Sequence, residues 1–228
     1  MHGLVRLPWE CDSKGYSIEE RSRVSSAALK AFRGTILEGL DGLLDEDDGL
    51  KFCVVPKGGA PERRVFEGLK DNVFVQLANT PCTHDGVKNF VDEYGLPFRN
   101  MARPELYYIY KAVRDLASAV EHVRAGCWAD FERSLGESKI AEAQVRFGKL
   151  PGDSAPRLFL QPKSLISFCW LELMQASGGV EIQQCANPKC AAFLPIEMER
   201  RRGTKRIYCK DSCKVAGFRL RGREKKRR

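Results

Sequence analysis

Four cysteines toward the C-terminal end of the sequence constrain the fold of this chain more than any other feature. Cys185 and Cys190 form one close pair, Cys209 and Cys213 form a second, and eighteen residues separate the pairs. Structural zinc sites take four tetrahedral thiolate or imidazole ligands, and short turns supply these ligands in pairs. Asn187-Pro188, inside the first pair, favours such a turn. The spacing therefore predicts one tetrahedral metal site.

The second cysteine pair is predicted to lead into a helix. Asp211 or Ser212 is a suitable N-cap, which would place Cys213 in the first helical turn. The helix would continue through Val215, Phe218 and Leu220, and its apolar side would pack on Phe193 and Ile207. A turn pair followed by a turn-into-helix pair is typical of a treble-clef-like zinc finger.

Other chemistries for the four thiols are less well supported. A catalytic zinc needs an open coordination position and a neighbouring acid or base, whereas four cysteines fill a tetrahedron. The zinc-deaminase pattern H-x-E with P-C-x-x-C is absent, and no histidine follows His122. An iron–sulfur cluster also accepts four cysteines, but this spacing differs from its usual runs. The remaining cysteines are predicted to be unpaired thiols: Cys11, Cys53, Cys82, Cys127 and Cys169.

The positive charge of the chain is concentrated at its C-terminal end. Residues 200–228 contain 14 Lys and Arg against two acids, a net charge of +12, so the other 199 residues carry −4 of the total +8. Such asymmetry favours a polyanionic partner, and we expect nucleic acid, with double-stranded DNA as the expected form. The predicted contacts hold phosphates rather than read bases. They are Arg200, Arg201, Arg202, Lys205, Arg206, Lys210, Lys214, Arg219, Arg221, Arg223, Lys225 and Lys226.

The rest of the chain is predicted to be an α+β body, mostly helical with small antiparallel sheets and hairpins. We expect the body to span 1–180, and the four-cysteine zinc finger with its basic helix and tail to span 181–228. Apolar periodicity predicts helices near 17–44, 83–94, 104–126 and 162–178. Predicted strands lie near 50–55, 64–66, 73–77, 141–147 and 158–160, and residues 1–17 are predicted to be irregular.

Several segments together resemble a known family. They are CANPKC at 185–190, Phe193, Arg206-Ile-Tyr-Cys209 and Lys214–Arg221, and they are similar to the CGNR-type zinc finger. Val75–Thr80 and Tyr94-Gly95-Leu96 are similar to the family's N-terminal pattern, the ABATE domain.

The resemblance implies a bacterial transcription regulator of a stress-linked kind. It also implies one structural Zn²⁺ with Cys185, Cys190, Cys209 and Cys213 as its ligands. The family's Cys-Gly-Asn-Arg tetrapeptide is absent, because Lys-Val-Ala follows Cys213.

Three functional interpretations follow from the sequence. The first is a DNA-binding transcription regulator whose body senses a small-molecule effector or forms a homodimer. The second is a zinc-scaffolded module that binds protein or RNA without sequence-specific DNA binding. The third, an enzyme with a site around Asn79, His84 and Asp85, ranks last because no nucleophile–base pair supports it. We therefore predict a protein that is not an enzyme. The absence of an apolar run of about 18 residues predicts no membrane partner and a cytoplasmic location.

Overall fold

The computed structural model describes residues 5–20, 52–98, 104–138, 143–149, 155–178, 182–194 and 207–227. Strands and helices are numbered in chain order within these residues. The strands are β1 (Arg6–Asp12), β2 (Tyr16–Glu20), β3 (Phe52–Pro56), β4 (Pro61–Glu67), β5 (Ala143–Gly148) and β6 (Arg157–Pro162). The helices are α1 (Val73–Ala78), α2 (His84–Tyr94), α3 (Leu106–Ala125), α4 (Trp128–Ser138), α5 (Leu165–Ser177) and α6 (Asp211–Arg227). The α+β class is confirmed.

The described strands form three two-stranded sheets: β1 with β4, β2 with β3, and β5 with β6. The β2–β3 pair is antiparallel, with Tyr16 opposite Pro56, and β5–β6 is antiparallel, with Val145 opposite Leu160. Among the described helices, none is long and apolar enough to cross a membrane.

Backbone contacts divide the chain into two compact units. Unit 1 comprises Met1–Pro8, Val65–Asn79 and Arg114–Arg228, and unit 2 comprises Trp9–Arg64 and Thr80–Val113. The described part of the predicted finger therefore belongs to the same unit as helices α1, α4 and α5. The two units do not test the predicted boundary between body and finger at residue 180, which stays a prediction.

The core of unit 1 forms where α5 packs on α1. Helix α5 is buried along almost its whole length, and Ser164 caps it by accepting a bond from the N–H of Ser167. The rings of Phe66 and Phe168 meet with centroids 6.0 Å apart. The carboxylate of Glu172 is fully buried within this apolar helix.

Unit 2 is built on the antiparallel β2–β3 sheet, and α2 packs against β2. The side chain of Thr83 caps α2 by accepting a bond from the N–H of Gly86, and Gly95 ends the helix at φ 86°. Both features confirm the predicted ends of this helix. Asp92 on α2 accepts a hydrogen bond of 2.7 Å from the N–H of Tyr16, which fixes the helix to β2.

Several predicted elements are wrong. The segment at 73–77 is a helix rather than a strand, and residues within 1–17 form β1 and part of β2 rather than an irregular lead-in. Residues 17–20, predicted to begin a helix, belong to β2, and the rest of that predicted helix lies outside the described residues. Strand β5 is almost fully exposed rather than half-buried, and helix α4 was not predicted.

Candidate metal centre and basic helix

The four cysteines of the predicted metal site lie together in the structure. The Sγ atoms of Cys185, Cys190, Cys209 and Cys213 all lie within 4.8 Å of one another. The Sγ of Cys209 is 3.7 Å from that of Cys190 and 3.5 Å from that of Cys213. In the described part of the chain, they form the one group of three or more potential metal-ligating side chains at such distances.

The backbone brings the first pair into place through a short bridge and a tight turn. Gln184 pairs with Phe193 in an antiparallel bridge, and the N–H of Cys185 donates to the carbonyl of Ala192 at 2.9 Å. Inside the turn, the N–H of Cys190 donates to the carbonyl of Asn187 at 2.8 Å. The Asn187 side chain also accepts a bond from the N–H of Lys189. The predicted turn at Asn187-Pro188 therefore directs both thiols to one side.

The second pair is placed by the start of α6. Helix α6 begins at Asp211, and the carbonyl of Lys210 accepts bonds from the N–H groups of Cys213 and Lys214 at 3.1 and 3.2 Å. Cys213 therefore lies in the first helical turn, as predicted. The N–H of Ala186 donates to the carbonyl of Ile207 at 2.7 Å, which joins the two cysteine-bearing segments.

Tyr208 holds α6 against the cluster. It is buried together with Cys185, Leu194 and Cys213. An ideal Cβ on Gly217 would lie 2.7 Å from Cε1 of Tyr208, so the helix backbone directly abuts the ring. Val215 and Phe218, predicted to pack on Phe193 and Ile207, are 48% and 57% exposed, and the Phe218 ring meets that of Tyr208.

The side-chain amides of Asn79 and Gln184 join this segment to the rest of unit 1. The side chain of Asn79 donates to the carbonyl of Phe193 and accepts a bond from the N–H of the same residue, both at 2.8 Å. The Gln184 amide donates to the carboxylate of Glu121 at 3.3 Å. Asn79 belongs to the third functional interpretation, the enzyme site. In the structure its polar atoms bond to backbone beside the cysteine cluster.

The other two residues of that enzyme hypothesis take part in unit 2. His84 is the first residue of α2, and its ring lies edge-on to Phe52 with centroids 4.7 Å apart. Asp85 lies in the first turn of the same helix, where a negative charge is favourable.

The thiols of the cluster influence each other's protonation. Burial raises the pKa of Cys185, but the N–H groups of Cys209 and Asn187 and the adjacent thiols outweigh it, so the pKa is lowered overall. Burial raises the pKa of Cys209 to about 12, and its three neighbouring thiols and the charge on Cys185 act in the same direction. Without a cation these effects favour the thiolate of Cys185 and disfavour that of Cys209. A divalent ion at the centre of the cluster would favour both thiolates.

The dimensions of the cluster fit one tetrahedral ion. Four thiolates at the usual Zn–S distance of about 2.3 Å would lie about 3.8 Å from one another. Two of the sulfur separations here are 3.5 and 3.7 Å, and none of the six exceeds 4.8 Å. The chain therefore presents a four-thiol site that could hold a metal ion.

The predicted nucleic-acid contacts are only partly described by the structure. Lys210, Lys214 and Arg219 have exposed side chains at the start and along the first turns of α6. Four other predicted contacts belong to the C-terminal half of α6: Arg221, Arg223, Lys225 and Lys226. The rest lie outside the described residues: Arg200, Arg201, Arg202, Lys205 and Arg206.

Comparisons with known proteins assign the chain to no family. No protein-family model matches the chain, and a search of curated proteins found no significant match. The resemblance to the CGNR-type finger therefore stays an expectation from the quoted motifs.

Proposed function

We propose that this protein binds nucleic acid through a basic helix and arm that a structural zinc site holds in shape. The observation that carries the proposal is that Lys214 and Arg219 are exposed on the helix that begins at the four-thiol cluster, and that Lys210 is exposed immediately before it. Phosphates bind such cations chiefly by releasing condensed counterions. The net charge of +12 over residues 200–228 supports a partner with many phosphates.

Zinc is the metal we propose for the cluster. Four thiolates are soft ligands, and zinc accepts them in a tetrahedron without a redox change. An iron–sulfur cluster places several irons and sulfides between its cysteines, so it would hold the thiols further apart than one ion does. With four protein ligands the zinc has no open position for a substrate, which supports a structural role. We further propose that the finger is treble-clef-like.

The proposed partner is duplex DNA, and the proposed role is transcription regulation. Both rest on the resemblance to the CGNR-type family, in which such a finger follows the ABATE domain. In this chain we propose that the body senses a small-molecule effector or forms a homodimer. A body that is not an enzyme fits this role. RNA binding and protein binding are the alternatives that the experiment must separate.

The test is the salt dependence of duplex binding by the full, zinc-loaded chain. If about six phosphates are contacted, the logarithm of the association constant should fall with that of salt concentration at a slope of roughly −5. Changing Lys210, Lys214 and Arg219 to Gln should reduce affinity and make the slope about three units shallower.

The matched control removes three positive charges elsewhere. Lys57, Lys111 and Lys149 are exposed lysines outside the basic segment, and their change to Gln should leave the slope nearly unaltered. Absence of duplex binding, or binding insensitive to salt, would favour protein interaction instead. Much tighter binding of RNA than of DNA would overturn the transcription role.

A further inference from the structure

The outward surface of α6 carries an apolar strip between cations. Val215 and Phe218 lie three residues apart, so their side chains are neighbours on the helix surface, and they are 48% and 57% exposed. Lys214 is four residues before Phe218, and Arg219 is four residues after Val215, and both are exposed. With about 100° per residue, the order around the helix is Lys214, Phe218, Val215, Arg219. The apolar pair is therefore bracketed by one cation on each side.

The ring of Phe218 packs against the ring of Tyr208. Its centroid lies 6.4 Å from that of Tyr208, with the two planes tilted by 39°. Tyr208 is itself buried against Gly217, so it is a fixed support. The contact with Tyr208 therefore restrains the Phe218 side chain, although more than half of that side chain is exposed. Such a ring loses little conformational entropy when a flat ligand covers it.

Phosphate binding alone does not explain why two apolar side chains are exposed between these cations. Phosphate binding uses cations, and an exposed phenyl ring beside a phosphate offers it no hydrogen bond. In a duplex the faces of the bases are already stacked on one another, whereas in a single strand, loop or bulge they are free. Aromatic side chains next to cations are the usual platform for such bases.

We propose that Phe218, with Val215 beside it, forms a stacking subsite for an unpaired nucleobase, and that Lys214 and Arg219 hold the flanking phosphates. This inference rests on the proposed nucleic-acid binding and refines its substrate class. Beyond the phosphate contacts that the chain makes with any duplex, the subsite would add affinity wherever a base is unpaired, in a bulge or a separated strand. The charges beside the apolar strip support this occupant, because Lys214 and Arg219 border it on both sides, and the one acid on the same face, Asp211, lies a turn earlier.

The experiment compares three fluorescent DNA probes with the full, zinc-loaded chain. The probes are a single strand of about 20 nucleotides, its perfect duplex, and the same duplex with one bulged base. A strand of this length exceeds the site sizes of typical single-strand modules. Phe218→Ala should weaken binding of the single strand and the bulged duplex by about tenfold, and binding of the perfect duplex by less than about twofold. Phe218→Trp should retain or tighten binding to unpaired bases.

A second exposed phenylalanine supplies the matched control. Phe147 on β5 is 75% exposed and lies outside the basic segment, so Phe147→Ala should alter none of the three affinities. Zinc content and thermal melting of each variant show whether α6 stays docked. The Phe218→Trp variant keeps the test valid if Phe218→Ala loses structure.

Three outcomes would overturn the subsite. Equal weakening of all three probes by Phe218→Ala would mean that the ring supports the helix rather than a base. Unchanged binding of all three would leave the proposed nucleic-acid function intact but remove the subsite. Binding to anionic vesicles that depends on Phe218, with no effect on the DNA probes, would assign the strip to a lipid surface. If the unmodified chain binds no probe, both proposals fail.

Discussion

At the scale of single residues, Glu172 shows how one buried side chain fixes a whole loop. Its carboxylate oxygens accept hydrogen bonds from the N–H of Leu69 at 3.0 Å and of Phe74 at 2.8 Å. Leu69 and Asn72 both have positive φ, at 60° and 53°, which costs energy for residues other than glycine. The two bonds to Glu172 help to stabilise this strained turn before α1.

The protonation of Glu172 should make stability depend on pH. Burial raises the pKa of Glu172 to about 8, although the N–H groups of Phe74 and Leu69 oppose the shift. Between the ordinary value of 4.5 and this raised value, the folded chain holds a proton that the unfolded chain has lost. The contribution of this group to the free energy of unfolding should therefore be fully present below about pH 4.5 and fall toward pH 8, by at most about 1.4 kcal/mol per pH unit.

The variant Glu172→Gln isolates that contribution. Its amide nitrogen cannot accept a backbone N–H, so the variant should be less stable by about 1–3 kcal/mol near pH 5. The difference from the unmodified chain should shrink as pH rises to about 8, as measured by urea unfolding at each pH. Gln144→Ala, at an exposed position that carries no ionisable group, should leave the pH profile unchanged. Parallel profiles for Glu172→Gln and the unmodified chain would contradict the prediction.

The position of Asn79 shows what sequence reasoning cannot supply at this scale. Its partner, the backbone of Phe193, is 114 residues away, and no local pattern encodes such a pairing. A polar residue after an apolar run is equally compatible with a cap, a turn or a catalytic role. The four cysteines were predictable because metal coordination constrains residue type and spacing together.

At the scale of elements, the tight contact between Gly217 and Tyr208 sets how α6 docks. Gly217→Ala would improve the helix propensity, but its Cβ would lie 2.7 Å from the Tyr208 ring. We expect the displaced ring to reduce stability by about 1–3 kcal/mol. Because Tyr208 packs with Cys185 and Cys213, zinc should also be lost faster to a chelator.

Gly136 in α4 is the matched control for this substitution. Nothing lies within 4 Å of a Cβ built there, so Gly136→Ala should raise stability by up to about 1 kcal/mol. Thermal unfolding of the two variants should therefore shift in opposite directions, and zinc release should change only in Gly217→Ala. Equal effects would mean that Tyr208 does not limit the space at Gly217.

Helix α1 explains why some elements were predicted wrongly. Its short apolar sequence, VFVQLA, is typical of a strand as well as of a helix. Its helical form is favoured by Asn72, which precedes it in the left-handed region. It is also favoured by Glu172, 98 residues later in the chain, whose carboxylate accepts a hydrogen bond from the N–H of Phe74. Long helices such as α3 were predictable, because an apolar stripe over several turns has no competing interpretation.

At the scale of the whole molecule, the four thiols join the two cysteine-bearing segments of unit 1. The bridge at Gln184, the bond from Ala186 to Ile207 and the Asn79 contact all lie around them. A small segment with few buried apolar side chains depends on its metal for stability. Metal binding should therefore determine whether residues 182–194 and 207–220 keep their structure.

Removal of the metal should loosen this segment and spare unit 2. The purified chain should contain one zinc per molecule, and Cys209→Ser should lose it, whereas Cys127→Ser, at an exposed thiol outside the cluster, should keep it. After chelation, hydrogen exchange should become fast at Cys185, Ala186 and Leu194 but stay slow in the β2–β3 sheet. Zinc affinity should fall as pH decreases, because the ligands bind as thiolates and the high pKa of Cys209 must be overcome. A metal-free chain with unchanged exchange and melting would show that the cluster does not brace the helix.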